Sequence, residues 1–326
     1  MHTRKLSSHK FPRHINLTTR DLAIIERIAT LRYAKTSQML NLFGGGSKIR
    51  RRLRLLFEHG YLSRTRCKQS IGSWGGSKEI VHCIGKRGVK LLATHSPLPY
   101  GRLDWLQRHS KNESVEHGLM ISEFITDIEL SCANNESMTF IPPFHCKEII
   151  MGKPKHIRWS VQTSEYGAPP RSIGIVPDEV FGIQYGSREP IFFFFEADRG
   201  TVPITSRNVF RTSMAKKLIG YHATKETGIL QTKWNLSYFK VLILTSSPDR
   251  LQNLLEVNHR FNSGSGSGLF LFMDLDTFHN SNNLLTVTWN SGYHNEGIRL
   301  DNLNHSLFLP NSKRKNQFPP LPLQWN

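Results

Sequence analysis

Two carboxylates at the ends of strongly apolar segments most constrain how this chain can fold. Asp178 follows Pro177 and precedes an apolar segment that runs to Tyr185. Glu196 directly follows a second segment, Ile191–Phe195, which contains no polar residue. A carboxylate at the end of a buried strand is costly unless it is paired or binds a cation. The two segments therefore predict neighbouring strands with ion pairs or a divalent-metal site at one edge.

A short turn centred on Ser187 predicts that the two strands form an antiparallel hairpin. In that register Asp178 lies opposite Glu196, and their Cβ atoms are about 5 Å apart on one face. This spacing suits two carboxylates that share Mg²⁺ or Mn²⁺. Asp198, two residues beyond Glu196, shares the face if the strand continues. A slip of one residue would put the two acids on opposite faces.

The net charge of +18 is confined to the first third of the chain. Residues 1–112 contain 23 Lys and Arg against 5 Asp and Glu, whereas residues 113–326 contain 20 of each group. Such segregation predicts a polyanion-binding module joined to a neutral domain. We therefore expect double-stranded DNA as a partner, the alternative being a basic surface that only aids solubility.

Helical spacing and turn signals in the basic region predict a winged helix-turn-helix domain. Three short helices are expected up to about His59, followed by a hairpin with the Gly-rich tip Gly72–Gly76. The third helix is the expected major-groove reader, and the hairpin arginines are expected near phosphates or the minor groove. The alternatives are a solvated helix face and a dimerisation domain. The predicted DNA-contacting residues are Lys48, Arg50, Arg51, Arg54, Arg64 and Arg66.

The remaining two thirds predict an α+β or α/β domain with a mixed sheet. Helices are expected at 113–131, 206–225 and 247–262, and strands at 138–144, 173–185, 191–197, 238–245, 269–272 and 284–289. This order of elements is typical of a mixed-sheet sandwich. The predicted domains are 1–110, including a linker, and 111–302, with 303–326 as a poorly ordered tail.

An Asp after Pro, a hairpin and an acid at a strand end together resemble the PD-(D/E)XK restriction-endonuclease-like fold. A winged helix followed by this core and by a Glu-x-Asp-Arg-Gly-Thr motif more narrowly resembles the replication-relaxation family of plasmids and mobile elements, over about residues 15–260. The resemblance implies a role in plasmid replication or DNA relaxation. The matching positions are Pro177, Asp178, Glu196, Asp198, Arg199, Gly200, Thr201, Lys217, Tyr221 and His117-Gly118-Leu119.

The nuclease resemblance implies a catalytic site formed by Asp178, Glu196 and Lys217. The metal ligands would be Asp178, Glu196 and Asp198. Asp198 stands where the nuclease pattern has a lysine, so Lys217 or Lys216 on the next helix would replace that lysine. The candidate accessory residues are Glu123, His117, Arg199 and Tyr221. The alternative is an ion-pair network in which the acids pair with Arg199, Arg207 or Lys217.

Two functions of different classes remain open from the sequence. The first is a Mg²⁺- or Mn²⁺-dependent DNA endonuclease or nickase, and the second is a non-catalytic replication or mobilisation factor that only binds DNA. Other replication or mobilisation proteins are further expected partners, and a homodimer is left open. The chain has no run of 18 apolar residues, no apolar leader and no Cys-x-x-Cys pair. We therefore expect a reduced, cytoplasmic protein without membrane contact.

Overall fold

The computed structural model describes residues 15–66, 79–95, 114–152, 157–163, 171–205, 213–261, 264–292 and 297–303. The predicted Gly-rich tip, the linker with its domain boundary near residue 110, and the tail beyond residue 303 lie outside the described residues. The domain boundaries therefore stay predictions. No helix in the described ranges is long and apolar enough to cross a membrane.

Three helices open the described chain and lead into a small antiparallel sheet. Thr18 caps the first helix by accepting a hydrogen bond from the N–H of Asp21, whose carboxylate accepts one from the N–H of Thr18 at 2.7 Å. The sheet has the strand order β1-β3-β2. The elements are α1 (Thr19–Leu31), β1 (Ala34–Lys35), α2 (Thr36–Phe43), α3 (Gly46–Glu58), β2 (Leu62–Arg66), β3 (Ile80–Ile84) and α4 (Lys86–His95).

The described elements after residue 114 build a larger mixed sheet, a separate two-stranded sheet and the helices that cover them. In chain order they are α5 (Val115–Ala133), β4 (Met138–Ile141), α6 (Pro143–Met151), β5 (Trp159–Thr163), β6 (Arg171–Ile175), β7 (Glu179–Tyr185), β8 (Ile191–Asp198), α7 (Met214–Thr227), α8 (Ile229–Trp234), β9 (Phe239–Thr245), α9 (Pro248–His259), β10 (Phe270–Asp274), α10 (Leu275–Asn280), β11 (Trp289–Ser291) and β12 (Gly297–Ile298).

The larger sheet has seven described strands in the order β12-β11-β10-β9-β8-β7-β4. Strands β8, β9 and β10 are parallel, whereas the other neighbouring pairs are antiparallel. The structure is thus a mixed α+β protein, as the sequence predicts at this level. The carboxyl ends of the three parallel strands lie at one edge of the sheet.

The hairpin register that the sequence predicts is confirmed. Val180 of β7 pairs with Phe194 of β8. Two residues before Val180, the N–H of Asp178 donates to the carbonyl of Phe195 at 3.1 Å. Phe195 directly precedes Glu196. Both acids therefore reach the same edge of the sheet.

Alternate residues of β8 face two different cores. On one face the ring of Phe195 stacks on Phe124 of α5, with centroids 4.0 Å apart. On the other face Phe194 packs against Trp159 of β5, with centroids 5.2 Å apart. A strand buried on both faces needs apolar residues at every position, which explains the uninterrupted segment Ile191–Phe195.

Two of the predicted strand boundaries are wrong, and a proline lies at each of them. The predicted strand at 173–185 is two strands, because β6 pairs with β5 in the separate sheet and only β7 joins the larger one. Pro177 lies between them and cannot donate a ladder hydrogen bond. The predicted strand at 138–144 ends at Ile141, and Pro143 begins α6, a helix that the sequence prediction missed. Proline is favoured at this first helical position because its missing N–H has no partner there.

The predicted strand at 284–289 is also wrong. Leu284 and Leu285 are buried, but β11 begins only at Trp289. The N–H of Leu284 donates to the Ser131 hydroxyl at 3.0 Å instead of joining a ladder. Burial alone therefore produces an apolar pattern here without a strand.

The N-terminal helices pack directly against α5, so the basic unit and the larger sheet share one core. Within this contact, the buried Gln38 amide donates to the Thr126 hydroxyl at 3.1 Å. Two ion pairs flank it, Arg27 with Glu129 and Lys35 with Glu123. Burial lowers the pKa of Arg27 to about 10.

Candidate active site at the sheet edge

Three elements bring the two predicted acids and the predicted lysine to one edge of the sheet. Glu196 lies near the carboxyl end of β8, Asp178 directly precedes β7, and Lys217 lies near the start of α7. Ser213 caps α7 by accepting a hydrogen bond from the N–H of Lys216 at 3.2 Å. The cap fixes where α7 begins, and so which of its side chains face the sheet.

The carboxyl group of Glu196 is held by two side chains of α7. Glu196 is 1% exposed, and its Oε2 atom pairs with the ammonium of Lys217. The Tyr221 hydroxyl donates to Oε1 at 2.6 Å. Lys217 and Tyr221 lie four residues apart on one helix face, as the sequence predicts. Both oxygens of this buried carboxyl therefore have partners.

The carboxylate of Asp178 is held from two other directions. Its Oδ2 atom accepts a hydrogen bond from the N–H of Ala197 at 2.8 Å. Its Oδ1 atom lies 3.4 Å from Nε2 of His117, which α5 supplies from its first turn. The side chain remains 18% exposed. The predicted accessory residue His117 therefore joins the site.

The surroundings push the pKa values of the two acids in opposite directions. Burial and the neighbouring Asp178 carboxylate raise the pKa of Glu196 to about 8, and hydrogen bonds from Lys217 and Tyr221 offset part of this effect. Burial would also raise the pKa of Asp178, but His117 and Lys217 lower it overall. The ion pair with Lys217 therefore forms only in the molecules in which Glu196 is ionised. Near neutral pH Asp178 is ionised, whereas Glu196 is protonated in a fraction of the molecules.

Lys217 is charged despite its burial. Burial lowers its pKa, but the carboxylates of Glu196 and Asp178 raise that pKa overall. Its side chain is 31% exposed, and its ammonium pairs with the buried Glu196.

Asp198, the third predicted metal ligand, is bound by side chains from β9 and α9. The Arg250 guanidinium donates to both of its oxygens, from Nε at 2.5 Å and from Nη2 at 2.9 Å. The Thr245 hydroxyl donates to Oδ2 at 2.9 Å, and the N–H of Gly200 donates to Oδ1 at 3.2 Å. The carboxylate is thus neutralised without a metal ion.

Sequence reasoning missed Arg250, although a signal for it was present. Arg250 lies near the N-terminus of α9, and Lys217 lies near the N-terminus of α7. The helix dipole disfavours cations at this end, so a base there indicates an acidic partner. Of the predicted alternatives, the Arg199 guanidinium donates to the Ser114 hydroxyl at 2.7 Å, and Arg207 lies outside the described residues.

Carboxylate oxygens are the ligands that Mg²⁺ and Mn²⁺ prefer, so Asp178 and Glu196 remain the candidate metal ligands. In the described part of the chain, no three His, Cys, Asp or Glu side chains cluster as metal ligands. The Asp178 carboxylate lies close enough to Glu196 to raise the pKa of Glu196. Magnesium is commonly bound by one or two carboxylates, together with waters and substrate phosphates, rather than by a complete protein cage.

Glu123, another predicted accessory residue, lies elsewhere along α5. It pairs with Lys35 of β1 and helps to hold the N-terminal helices. Nearby Asp127 is partly buried, and burial and the neighbouring Glu123 raise its pKa to about 6. Glu123 and Asp127 therefore belong to the contact of α5 with the N-terminal helices.

The predicted DNA-contacting residues of α3 are exposed, whereas the neighbouring Arg52 is held in an ion pair. Arg52 donates from Nε to the buried carboxylate of Asp21 at 2.7 Å. Burial would raise the pKa of Asp21, but Arg52 and Thr18 lower it overall. The exposed residues are Lys48, Arg50, Arg51 and Arg54, the last of which also pairs with Glu58 at 2.7 Å.

The hairpin arginines differ from those of α3. The guanidinium of Arg64 lies over the ring of Phe57, 4.3 Å from its centroid. Burial lowers the pKa of Arg64. The side chain of Arg66 lies outside the described residues.

The fold and the site define an α+β protein with a mixed sheet and a buried carboxyl–lysine cluster at one sheet edge. The sequence model of the replication-relaxation family matches residues 25–237, about two thirds of the chain. The chain therefore belongs to the replication-relaxation family, as its motifs predict. The match includes Asp178, Glu196 and Lys217 but ends before Arg250. No match was found among the curated proteins or the solved structures with which the chain was compared.

Proposed function

We propose that this protein binds double-stranded DNA in the replication of a plasmid or mobile element and cleaves a phosphodiester bond with Mg²⁺ or Mn²⁺. Membership of the replication-relaxation family supports the role in replication. One observation carries the proposed chemistry, namely the convergence of Asp178, Glu196 and Lys217 at one sheet edge. On this proposal, residues 111–302 are a PD-(D/E)XK-like domain.

The N-terminal unit is the proposed DNA reader, a winged helix-turn-helix domain. Its three helices are followed by the antiparallel pair of β2 and β3, which supports this assignment. Helix α3 buries Ile49, Leu53 and Leu56 and exposes its basic residues on the other side. A helix that is anchored on one face and basic on the other suits insertion into the major groove.

Each residue of the site has a proposed role in cleavage. A divalent cation held by Asp178 and Glu196 would polarise a water molecule and neutralise charge on the scissile phosphate. Tyr221 fixes one oxygen of Glu196, and His117 orients the Asp178 carboxylate. The ammonium of Lys217, whose side chain is partly exposed, would stabilise the negative charge that develops on the phosphate oxygens.

A nicking assay tests this function. Supercoiled plasmid is incubated with the full chain and Mg²⁺ or Mn²⁺, and the relaxed and linear forms are measured. We expect nicking by the unaltered protein and its loss in Asp178→Asn and in Glu196→Gln. Glu226→Gln, an exposed change on α7, is the matched control and should nick normally. If no metal or DNA form supports cleavage, the proposed chemistry is wrong.

DNA binding is tested separately by removing three exposed charges of α3. Changing Arg50, Arg51 and Arg54 to Ala should weaken duplex binding and reduce the slope of log affinity against log salt by up to roughly 3, because each phosphate contact contributes about 0.9. A charge-matched control changes three exposed bases of the other unit, Arg158, Arg188 and Lys225. Equal effects of the two triple changes would show that α3 is not the reader.

The second candidate function is DNA binding without cleavage. The observation that favours it is the internal neutralisation of the acids, since Lys217 pairs with Glu196 and Arg250 with Asp198. On this reading the ion pairs only stabilise the sheet edge. Duplex binding that neither needs a metal nor depends on Asp178, together with no cleavage, would establish this function.

A further inference from the structure

The first turn of α5 carries His117 of the candidate site and rests on the N-terminal unit. Tyr33, Val81 of β3 and Leu119 of α5 are buried together in a small separate core. The ring of Tyr33 lies so close to Gly118 that a Cβ atom there would overlap with it. The residue next to His117 is therefore in direct contact with the turn that joins α1 to β1.

The rest of α5 is held by the same unit. Ile25 of α1 lies in one core with Phe124 and Ile128 of α5, and the buried Gln38 amide donates to the Thr126 hydroxyl. Two units of a chain move relative to one another unless the interface between them is large and apolar. Here apolar packing, a buried hydrogen bond and two ion pairs follow one another along a single helix. These contacts resist movement of one unit relative to the other.

The same contacts connect the proposed DNA reader to the candidate active site. Leu53 of α3 lies in the same core as Phe124 of α5. At the start of α5, Nε2 of His117 lies 3.4 Å from Oδ1 of Asp178. A duplex held by α3 would therefore present one part of its length to Asp178 and Glu196.

We propose that the substrate of this site is a duplex in which the sequence read by α3 and the scissile bond are a constant number of base pairs apart. The junction of Tyr33 with Gly118 and Leu119 sets this separation, because it fixes α5, and with it His117, relative to α3. The position of the cut then depends on the distance from the read sequence rather than on the sequence at the cut. This inference rests on the proposed DNA binding by α3.

The position of the site on DNA can be measured without relying on cleavage by the protein itself. The full chain is bound to duplexes that it has selected from a random library, whose shared bases define the read sequence. An iron chelate attached to Ser114→Cys, an exposed change just before α5, produces hydroxyl radicals that cut the nearest DNA. The unaltered protein treated with the same chelate is the control, because it has cysteines of its own.

We expect one narrow group of chelate-dependent cuts. When about five base pairs, half a helical turn, are inserted between the read sequence and this group, the cuts should stay at their original distance from the read sequence. Nicks made by the protein with Mg²⁺ or Mn²⁺ should fall in the same group. Cuts that move with their original sequence, or that are widely spread, would overturn the inference.

A change in the junction should widen the distribution of cuts. Tyr33→Ala removes the ring that contacts Gly118, so the chelate cuts should spread over more base pairs while the read sequence stays the same. Trp234→Ala removes a ring from the other core and is the control, for which the cuts should stay narrow. If thermal melting shows that Tyr33→Ala does not fold, the insertion experiment decides alone.

The two arms separate this inference from the proposed function. Narrow chelate cuts at a constant separation, without nicking by the unaltered protein, would support the inference and overturn the proposed cleavage. Nicks at scattered distances from the read sequence would support cleavage and overturn the inference. Absence of duplex binding would overturn the proposed DNA binding and the inference together.

Discussion

Replacing Glu196 by Gln should change how the stability of the metal-free protein depends on pH. The pKa of Glu196 is raised from 4.5 to about 8, with burial as the largest cause. Between these two values the folded protein retains a proton that the unfolded chain has lost. Stability therefore falls as pH rises through this window, by up to about 1.4 kcal/mol per pH unit.

The glutamine variant should lack this slope. Its amide oxygen can still accept the hydrogen bond of Tyr221, and Lys217 is 31% exposed and can turn to water. From about pH 5.5 to about pH 7.5, the unaltered protein should lose about 2–3 kcal/mol relative to Glu196→Gln. Asp178 contributes nothing to this difference, because its pKa is lowered from 3.8 and its contribution is lost only in more acidic solution.

Urea denaturation in the presence of a chelator, repeated across this pH window, measures the effect. Glu226→Gln on the exposed side of α7 is the control and should retain the original slope. Equal slopes for the unaltered protein and Glu196→Gln would refute the reasoning. So would a Glu196→Gln protein that is less stable at every pH, since the carboxylate would then be ionised and stabilising throughout.

Two further predictions concern the packing around the site. Gly118→Ala should destabilise the protein by about 1–3 kcal/mol, because the added Cβ atom would overlap with the ring of Tyr33. Alanine usually stabilises a helix relative to glycine, so a raised melting temperature would contradict this prediction. Arg250→Met should cost about 3–5 kcal/mol in denaturant unfolding, because it leaves the buried Asp198 carboxylate without a cation. Adding Asp198→Asn should recover much of that loss, and a single Arg250→Met variant as stable as the unaltered protein would count against the pairing.

Local patterns in the sequence determined the central part of the site. The apolar segment Ile191–Phe195 and the short turn before it set the hairpin register, because side chains alternate strictly along a strand. That register brings Asp178 to Glu196. Helical spacing likewise placed Lys217 and Tyr221 on one face. The hairpin pairing crosses one short turn, and Lys217 and Tyr221 are one helical turn apart. Both relations are local in sequence, so neighbouring residues suffice to predict them.

The tertiary structure alone decided which of the basic residues of α3 is paired and which are exposed. Arg52 lies in the same basic run as Arg50 and Arg51, but the packing of α1 on α3 places Asp21 beside it. Asp198 meets Arg250 because α9 covers the sheet edge, 52 positions along the chain. The sequence shows the charges, but residues far apart along the chain become neighbours only when helices and sheets pack. For that physical reason the sequence predicted the acidic pair and Lys217, whereas only the fold showed that Asp21 pairs with Arg52 and Asp198 with Arg250.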